Sequence, residues 1–489
     1  MNQPIARLFS VVLLMFALLV VFTSRWTIFE ASALRANPNN KRPGLEAQYV
    51  QRGQIVAGDG TTVLATSIRQ KGGVYKRSYP FGPLFAPAIG YYDPINGRAA
   101  LEHSRDGALA GSPQQQSSIV AQLEGKRTNG DQVVTTLDVH AQRVAYAGLA
   151  GRPGAVVAIV PSTGEIKVFA DSPTYDPNRV KTRAGLASIL AQTKASPLTD
   201  RVTQAQYAPG STFKVVTAIA AIDSARYTPF SVLSGKSPIV VSGAPLSNDG
   251  GFSYGSVSLS TALTQSINTV WAQVALGVGA PTLQTYMNRL GFYNKPPIDL
   301  PSGEVAPSGV VVVGHPGRYL QVTAGADLGR VGIGEGGLDV TPLQMAMVAA
   351  AVANNGRLMV PHLTRQIVNP DGQTVETITP RLYSTVMRPS TAQEVGLMME
   401  NVVKDGTGTQ AALAGIRVAG KTGTAQECAN LAVLACQYNQ VWFIAYAPVV
   451  HPKIAIAVTV EHQLNGFGGS IAAPIAKQVL EALHVGSGG

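Results

Sequence analysis

Tyr207-Ala208-Pro209-Gly210-Ser211-Thr212-Phe213-Lys214 leads directly into Val215-Val216-Thr217-Ala218-Ile219-Ala220-Ala221-Ile222. Pro209 and Gly210 break whatever precedes them, and the apolar run that follows holds no breaker. The pattern predicts a turn feeding a buried helix whose first turn carries Ser211 and Lys214. Residues three apart share a helical face, so a hydroxyl and an amine are held side by side at a helix N-terminus. The partial positive charge of that terminus favours an anion. Apolar surroundings favour a neutral lysine, because desolvation penalises the charged form. A neutral lysine beside a serine can take the hydroxyl proton and make the serine a nucleophile. Taken alone, the spacing is a weak signal and is better read as a capped core helix with a snorkelling lysine, so the decision falls to the rest of the chain.

Two downstream elements carry matching chemistry. Ser266-Ile267-Asn268 sits within residues 261–275, where Ala262, Leu263, Ile267, Val270, Trp271 and Val274 recur at helical spacing. Ser266 and Asn268 are two apart and do not share a helix face, but a turn between two helices would let both point into a cleft. Lys421-Thr422-Gly423-Thr424-Ala425 follows Ile416-Arg417-Val418-Ala419-Gly420. Its alternation suggests a strand, and Gly420 and Gly423 mark close approach by a ligand or another backbone. An edge strand there could pair with an extended peptide by β-augmentation. Lys421 and the hydroxyls of Thr422 and Thr424 would offer donors to a carboxylate.

The surroundings predict the scaffold. Asp138 caps a helix running to about residue 149. Residues 154–160 form a continuous apolar strand, and Pro161-Ser162-Thr163-Gly164 turns it into a returning strand over 165–170. Residues 171–206 are polar and loop-like. Residues 441–447 and 454–460 are two more strands joined through His451-Pro452-Lys453, and residues 470–483 form a closing helix. The expected result is one antiparallel sheet with helices packed on it. Ahead of residue 138, Arg52-Gly53-Gln54-Ile55 and Thr62-Val63-Leu64-Ala65 predict two short strands around Asp59-Gly60. The Pro-, Gly- and Tyr-rich residues 79–97 read as an extended surface loop, and residues 101–111 as a short helix. The whole is α+β, with a membrane helix at residues 1–29, a small pedestal at 30–137 and the catalytic unit at 138–489.

Residues 8–24 hold no charge and are flanked by Arg7 and Arg25, which predicts an uncleaved signal anchor; a cleaved signal peptide is the competing reading. Charged residues make up only 13% of the 489 and the net charge is +10, which suits an anionic surface or polymer. The basic residues are scattered without interleaved aromatics, which speaks against nucleic acid. Cys428 and Cys436 have seven residues between them and no neighbouring histidine; zinc spacing is absent, and a loop-closing disulfide or two free thiols remain open. No cluster suggests a metal or organic cofactor.

Ser211-x-x-Lys214, Ser266-x-Asn268 and Lys421-Thr422-Gly423, in that order, resemble the three active-site motifs of the penicillin-recognising serine enzymes. Arg52-Gly53-Gln54-Ile55 with Asp59-Gly60 resembles the N-terminal signature of class B penicillin-binding proteins. Gly154-Ala155-Val156-Val157-Ala158 and Tyr175-Asp176-Pro177-Asn178 resemble the start of their transpeptidase domain, and Gly332-Ile333-Gly334, residues 341–346, Asn354-Asn355-Gly356 and Trp442-Phe443-Ile444-Ala445-Tyr446-Ala447-Pro448 resemble further segments of the same family. The likeness covers roughly residues 45–480 and is nearest to the mycobacterial type of that class. Two departures lie in the pedestal: Arg98-Ala99-Ala100-Leu101-Glu102 stands where the family has Gly-Leu-Glu, and Ala57-Gly58 replaces Asp-Arg.

The resemblance implies a serine β-lactamase-like transpeptidase domain that cross-links peptidoglycan stem peptides and is acylated by β-lactam antibiotics. It implies Ser211 as nucleophile, Lys214 as base, and Ser266 and Lys421 as a proton relay to the leaving amine. Asn268 would hold the substrate amide. Thr422 and Thr424, beside Gly423, would hold the terminal carboxylate. The backbone N–H groups of Ser211 and Thr424 would form the oxyanion hole. Peptidoglycan chemistry would place residues 30–489 outside the cytoplasmic membrane, with a SEDS-type membrane glycosyltransferase as partner in division or elongation. A D,D-carboxypeptidase or β-lactam hydrolase using the same serine, and a non-catalytic cell-wall scaffold, are the competing readings.

Overall fold

A computed structural model describes residues 2–30, 33, 48–111, 129–312, 314–427 and 438–486. Cys428 and Cys436 lie outside the described residues.

The catalytic unit is built on a five-stranded antiparallel sheet. Its order across the sheet is Ala419–Glu427, Tyr438–Ala447, Ile454–Leu464, Gly154–Ile159 and Ile166–Ser172. Side chains alternate across a strand, so each strand feeds two cores. Ala155, Val157 and Ile159 enter a large core shared with the helices Lys214–Asp223, Pro342–Ala353 and Pro389–Asp405. Val156 and Ala158 enter a second core with the helices Val139–Leu149 and Gly468–Ala482. Helices on both faces explain why residues 154–159 read as one apolar run rather than an alternation. Asp138 caps the 139–149 helix by accepting from the Ala141 N–H, as its position predicts.

Residues 171–206 are not simply a loop. They include the helices Pro177–Val180 and Arg183–Leu190, capped by Asp176 and Thr182. Gly185 and the short apolar spacing masked the second of these in the sequence.

The pedestal is a six-stranded sheet ordered Thr374–Thr377, Thr364–Val368, Gln132–Thr135, Ile55–Val56, Val63–Arg69, Tyr75–Ser78. Two of these strands come from residues beyond 137, so a pedestal made of residues 30–137 alone is corrected: residues 364–377 complete its sheet. Thr364–Val368 pairs antiparallel with Gln132–Thr135, and the Arg365 guanidinium donates to the Gly58 carbonyl at 2.6 Å.

Residues 79–90 are likewise not an exposed loop, whereas Ile95 and Gly97 at the end of the stretch are exposed. Tyr79, Phe85, Ala86, Ala88 and Ile89 are buried, and Phe81 packs edge-on against Phe85. The Pro and Gly residues there shape short helical turns, Gly82–Phe85 and Ala86–Ile89, beneath a core rather than at a surface.

The pedestal is pinned by one buried carboxylate. Glu102 is fully buried and receives Arg52 Nε and Arg77 Nε, each at 2.6 Å, with the Tyr79 hydroxyl at 3.2 Å. Burial pushes the Glu102 carboxyl up, but the two guanidiniums outweigh it and hold it below the usual carboxylate range. Arg52 also reaches Asp106 at 2.6 Å and lies over the Tyr92 ring. Ala100, where the family has glycine, adopts φ +48°, so the left-handed backbone is kept without glycine's freedom.

The helix Asn2–Ser24 continues into a wider turn at Arg25–Phe29. Gln3–Phe29 is 27 residues long and contains an 18-residue stretch of mean hydropathy 2.7, none of it buried against the described residues. Its length and composition suffice to cross a membrane.

Glu102→Gln removes the charge that two buried guanidiniums depend on. The variant is expected to lose about 3–5 kcal/mol of stability, measured by denaturant unfolding of a soluble form lacking the N-terminal helix.

Candidate active site

Three segments far apart in the chain meet at one point. Ser211 lies in the 3-10 turn Gly210–Phe213, which runs straight into the helix Lys214–Asp223. Ser266 and Asn268 sit where the helix Leu259–Thr264 gives way to Asn268–Val278. Ser266 itself adopts φ +58°, and this kink aims both side chains at Lys214. Lys421 lies on Ala419–Glu427, which among the described residues pairs only with Tyr438–Ala447 and so forms the sheet edge.

Both lysines are fully buried. Lys214 Nζ donates to the Ser266 carbonyl at 2.7 Å, to Ser266 Oγ at 3.1 Å and to Asn268 Oδ1 at 2.6 Å. Lys421 Nζ donates to the same Ser266 Oγ at 2.9 Å and to the Thr422 carbonyl at 2.9 Å. One hydroxyl therefore bridges two amines. Burial lowers the Lys214 ammonium to about 8, against a partial upward pull from Asp249 and Glu335. Burial drives Lys421 well below the ordinary lysine range, and the neighbouring Lys214 charge lowers it further. A neutral amine can accept a proton, so the Lys214–Ser266–Lys421 chain can carry one in either direction.

Glycine makes the approach of these segments possible. Gly210 has φ +51°, and a Cβ on it would stand 2.6 Å from the Thr424 carbonyl oxygen. Gly334 has φ +87°, and a Cβ there would stand 1.9 Å from the Gly210 carbonyl oxygen. The Gly210 N–H donates to the Gly334 carbonyl at 3.1 Å. The serine turn is thus pressed between the 334 loop and the 424 peptide. The Trp442 indole N–H fixes it from below by donating to the Ala208 carbonyl at 3.0 Å.

The resulting cleft has a volume of about 330 Å³ and is lined by Ser211, Ser266, Thr422, Thr424 and Asp249, with Phe467 on its rim. Thr422 Oγ1 is 2.6 Å from Thr407 Oγ1, and Thr424 Oγ1 accepts from the Gly468 N–H at 3.4 Å. The N-terminus of the helix Gly468–Ala482 therefore opens beside both threonines. All the residues expected from the motifs, Ser211, Lys214, Ser266, Asn268, Lys421, Thr422, Gly423 and Thr424, fall in this one region. Asp249, Thr407 and Glu335 were not anticipated. The glycine-rich Asp405-Gly406-Thr407-Gly408-Thr409 was a signal for a close backbone approach; nothing marked Asp249 or Glu335.

The chain matches the penicillin-binding protein transpeptidase domain over residues 154–481 and the penicillin-binding protein A dimerisation domain over 52–133. The chain belongs to the penicillin-binding protein transpeptidase family. It is 32% identical to the peptidoglycan D,D-transpeptidase PbpA of Mycolicibacterium smegmatis, covering 99% of both chains. Its identity to the PbpA of Mycobacterium tuberculosis is also 32%, again over 99% of both. Among solved structures it resembles penicillin-binding protein A from M. tuberculosis in its ceftriaxone acyl-enzyme complex, with a TM-score of 0.80, covering 90% of this chain and 99% of that one. It also resembles the D,D-transpeptidase domain from Eggerthella lenta, at 30% identity and a TM-score of 0.76, covering 89% of this chain and 98% of that one. The penicillin-binding fold predicted from the motifs, with its helix-packed antiparallel sheet, is the fold observed.

Gly210→Ala is expected to destabilise the protein by about 1–2 kcal/mol from the left-handed backbone alone. The clash with the Thr424 carbonyl adds to this, and a lowered Tm measures the sum.

Proposed function

We propose that this chain is a single-pass membrane D,D-transpeptidase that cross-links peptidoglycan stem peptides through an acyl-enzyme on Ser211. One observation carries the reading: the Ser266 hydroxyl is held between two buried lysines beside Ser211, at an open sheet edge. The names of the relatives, and the acyl-enzymes that one of them forms with β-lactams, support it.

In the first step the donor peptide lies along the edge strand Ala419–Glu427. Asn268 holds its amide, and Thr422 and Thr424 hold its terminal carboxylate, helped by the helix N-terminus at Gly468. Neutral Lys214 takes the proton of Ser211 as Oγ attacks the D-Ala–D-Ala carbonyl. The backbone N–H groups of Ser211 and Thr424 receive the oxyanion, each such donor lowering the barrier by about 3 kcal/mol. The proton passes through Ser266 and Lys421 to the departing D-Ala amine. In the second step an amine of a neighbouring strand takes the acyl group and Ser211 recovers its proton. A β-lactam follows the first step only, because its amine remains tethered to the acyl group.

Peptidoglycan lies outside the cytoplasmic membrane, so the helix within residues 1–29 serves as anchor and residues 30–489 work on the outer side. A SEDS-type membrane glycosyltransferase, which would supply the glycan strands, is the partner that family analogy offers.

Intact-mass spectrometry tests the nucleophile. The protein mixed with penicillin should gain a single penicilloyl adduct, and Ser211→Ala should gain none. An adduct that survives in Ser211→Ala would move the nucleophile elsewhere, and no adduct in folded parent protein would remove the catalytic reading.

The acylation rate also has a predictable pH dependence. The base must be neutral, and the neutral fraction of Lys214 grows as pH rises toward about 8. Second-order acylation should climb about tenfold per unit at lower pH and level off above about 8, as stopped-flow quenching of protein fluorescence would record.

A further inference from the structure

Transfer to an amine sets a demand that donor binding does not. At neutral pH a primary amine acceptor arrives as an ammonium ion and must be held near the ester before it loses a proton. The strand side of the cleft is unsuited to this. Thr422, Thr424 and the helix start at Gly468 present donors, and Lys421 stands behind them.

The helical side carries a carboxylate. Asp249 lines the cleft with Ser211 and Ser266, and its side chain is exposed there. Its Oδ1 accepts from Asn268 Nδ2 at 3.3 Å, and the opposite end of that amide, Oδ1, accepts from Lys214 Nζ at 2.6 Å. The carboxylate is thus one amide group away from the base.

The position is built rather than incidental. Asp249 opens the 3-10 turn Asp249–Gly251, with Gly250 at φ +64° and Gly251 at φ +73°. The preceding residue, Asn248, is 5% exposed and clamps the turn. Its amide donates to the Gly235 carbonyl at 3.2 Å and the Phe252 carbonyl at 2.9 Å, and its Oδ1 accepts from the Thr269 N–H at 2.9 Å. Thr269 follows Asn268, so Asp249 is registered to the catalytic turn itself.

We propose that Asp249 is the residue that receives the ammonium group of the acceptor strand and so directs the acyl-enzyme toward cross-linking rather than hydrolysis. The assignment rests on the transpeptidase reading above. Held by Asp249, the ammonium gives one proton to solvent and becomes a nucleophilic amine. Its nitrogen attacks the ester carbonyl, the C–N bond forms, and the bond from carbonyl carbon to Ser211 Oγ breaks. A second proton passes from nitrogen through Lys214 to Ser211 Oγ, and the third stays on the new amide.

Water attacks the same acyl-enzyme without a positive charge, so hydrolysis is the internal comparator. The full-length protein in detergent is acylated with an N-acyl-D-alanyl thioester and offered D-alanine as acceptor. The ratio of aminolysis to hydrolysis is then read by mass spectrometry of the products. Asp249→Asn is expected to lower that ratio about tenfold and to raise the D-alanine concentration needed for half-maximal transfer, the loss expected for one charge-assisted contact. Asp249→Glu should restore most of it, and raising the salt concentration should lower the ratio in the parent but not in Asp249→Asn. A ratio that moves less than about twofold, or aminolysis and hydrolysis that fall together, would overturn the assignment, since a role only in holding Asn268 slows both routes alike. Failure of the parent to form any acyl-enzyme would instead remove the transpeptidase reading, and the assignment with it.

Discussion

Two buried lysines that share one hydroxyl form the constraint around which the catalytic unit is organised. An isolated ammonium in a dry interior costs several kcal/mol, and a second one beside it adds repulsion. The site resolves this by letting amines go neutral: Lys421 falls well below its usual range and Lys214 falls to about 8. Neutrality is also what the chemistry needs, because only a neutral amine can act as base. The same burial that makes these residues expensive to bury as ions makes them reactive. Asp249 and Glu335 limit the fall of Lys214 and leave it at about 8, while the Lys214 charge adds to burial in lowering Lys421.

Burial of this kind requires that the segments close on one another without leaving room for water. Gly210, Gly334 and Gly423 provide the closure. A Cβ on Gly423 would stand 2.7 Å from the Pro209 carbonyl oxygen and 2.9 Å from the Thr212 methyl group. Backbone therefore meets backbone on three sides of the serine turn. Precision at the reacting atoms follows from packing at places that carry no reactive group, and a shift of even 1 Å in such a site is costly to the rate.

Much of this was legible because the reactive residues come in short local clusters. Ser211 and Lys214 sit one helical turn apart, Ser266 and Asn268 flank a helix break, and Lys421 lies on an alternating strand; each can be recognised within a few residues. The illegible parts depend on long-range contacts. Asp249 gains its meaning only from the approach of residues 247–249 to Asn268, and no local pattern separates it from any Asp-Gly turn. Residues 79–97 looked like a surface loop because Pro and Gly dominate them, yet Phe85 and Ile89 are buried by the Glu102 cluster and the strands around it. Tertiary packing overrode composition there. The strands at 364–377 are short and polar, and their burial pattern gives no hint of a sheet made 230 residues earlier.

Those two strands also determine how the protein works as a body. The chain leaves the catalytic core through the helix Pro342–Ala353, enters the pedestal sheet at Thr364–Val368, and returns through Pro389–Asp405. Asp299, on the catalytic side, accepts from the Leu363 and Thr364 N–H groups at 2.7 and 2.9 Å and pairs with Arg105 of the pedestal at 3.1 Å. Thr136 Oγ1, one residue past the strand Gln132–Thr135, donates to the Ile166 carbonyl at 2.6 Å. Backbone hydrogen bonds from the Thr136 N–H to the Leu363 carbonyl and between His362 and residues 164–166, with a half-buried ion pair, therefore join the two parts. For the cleft to tilt relative to the pedestal, these bonds would have to break together, so the edge strand Ala419–Glu427 keeps a fixed orientation to the pedestal sheet.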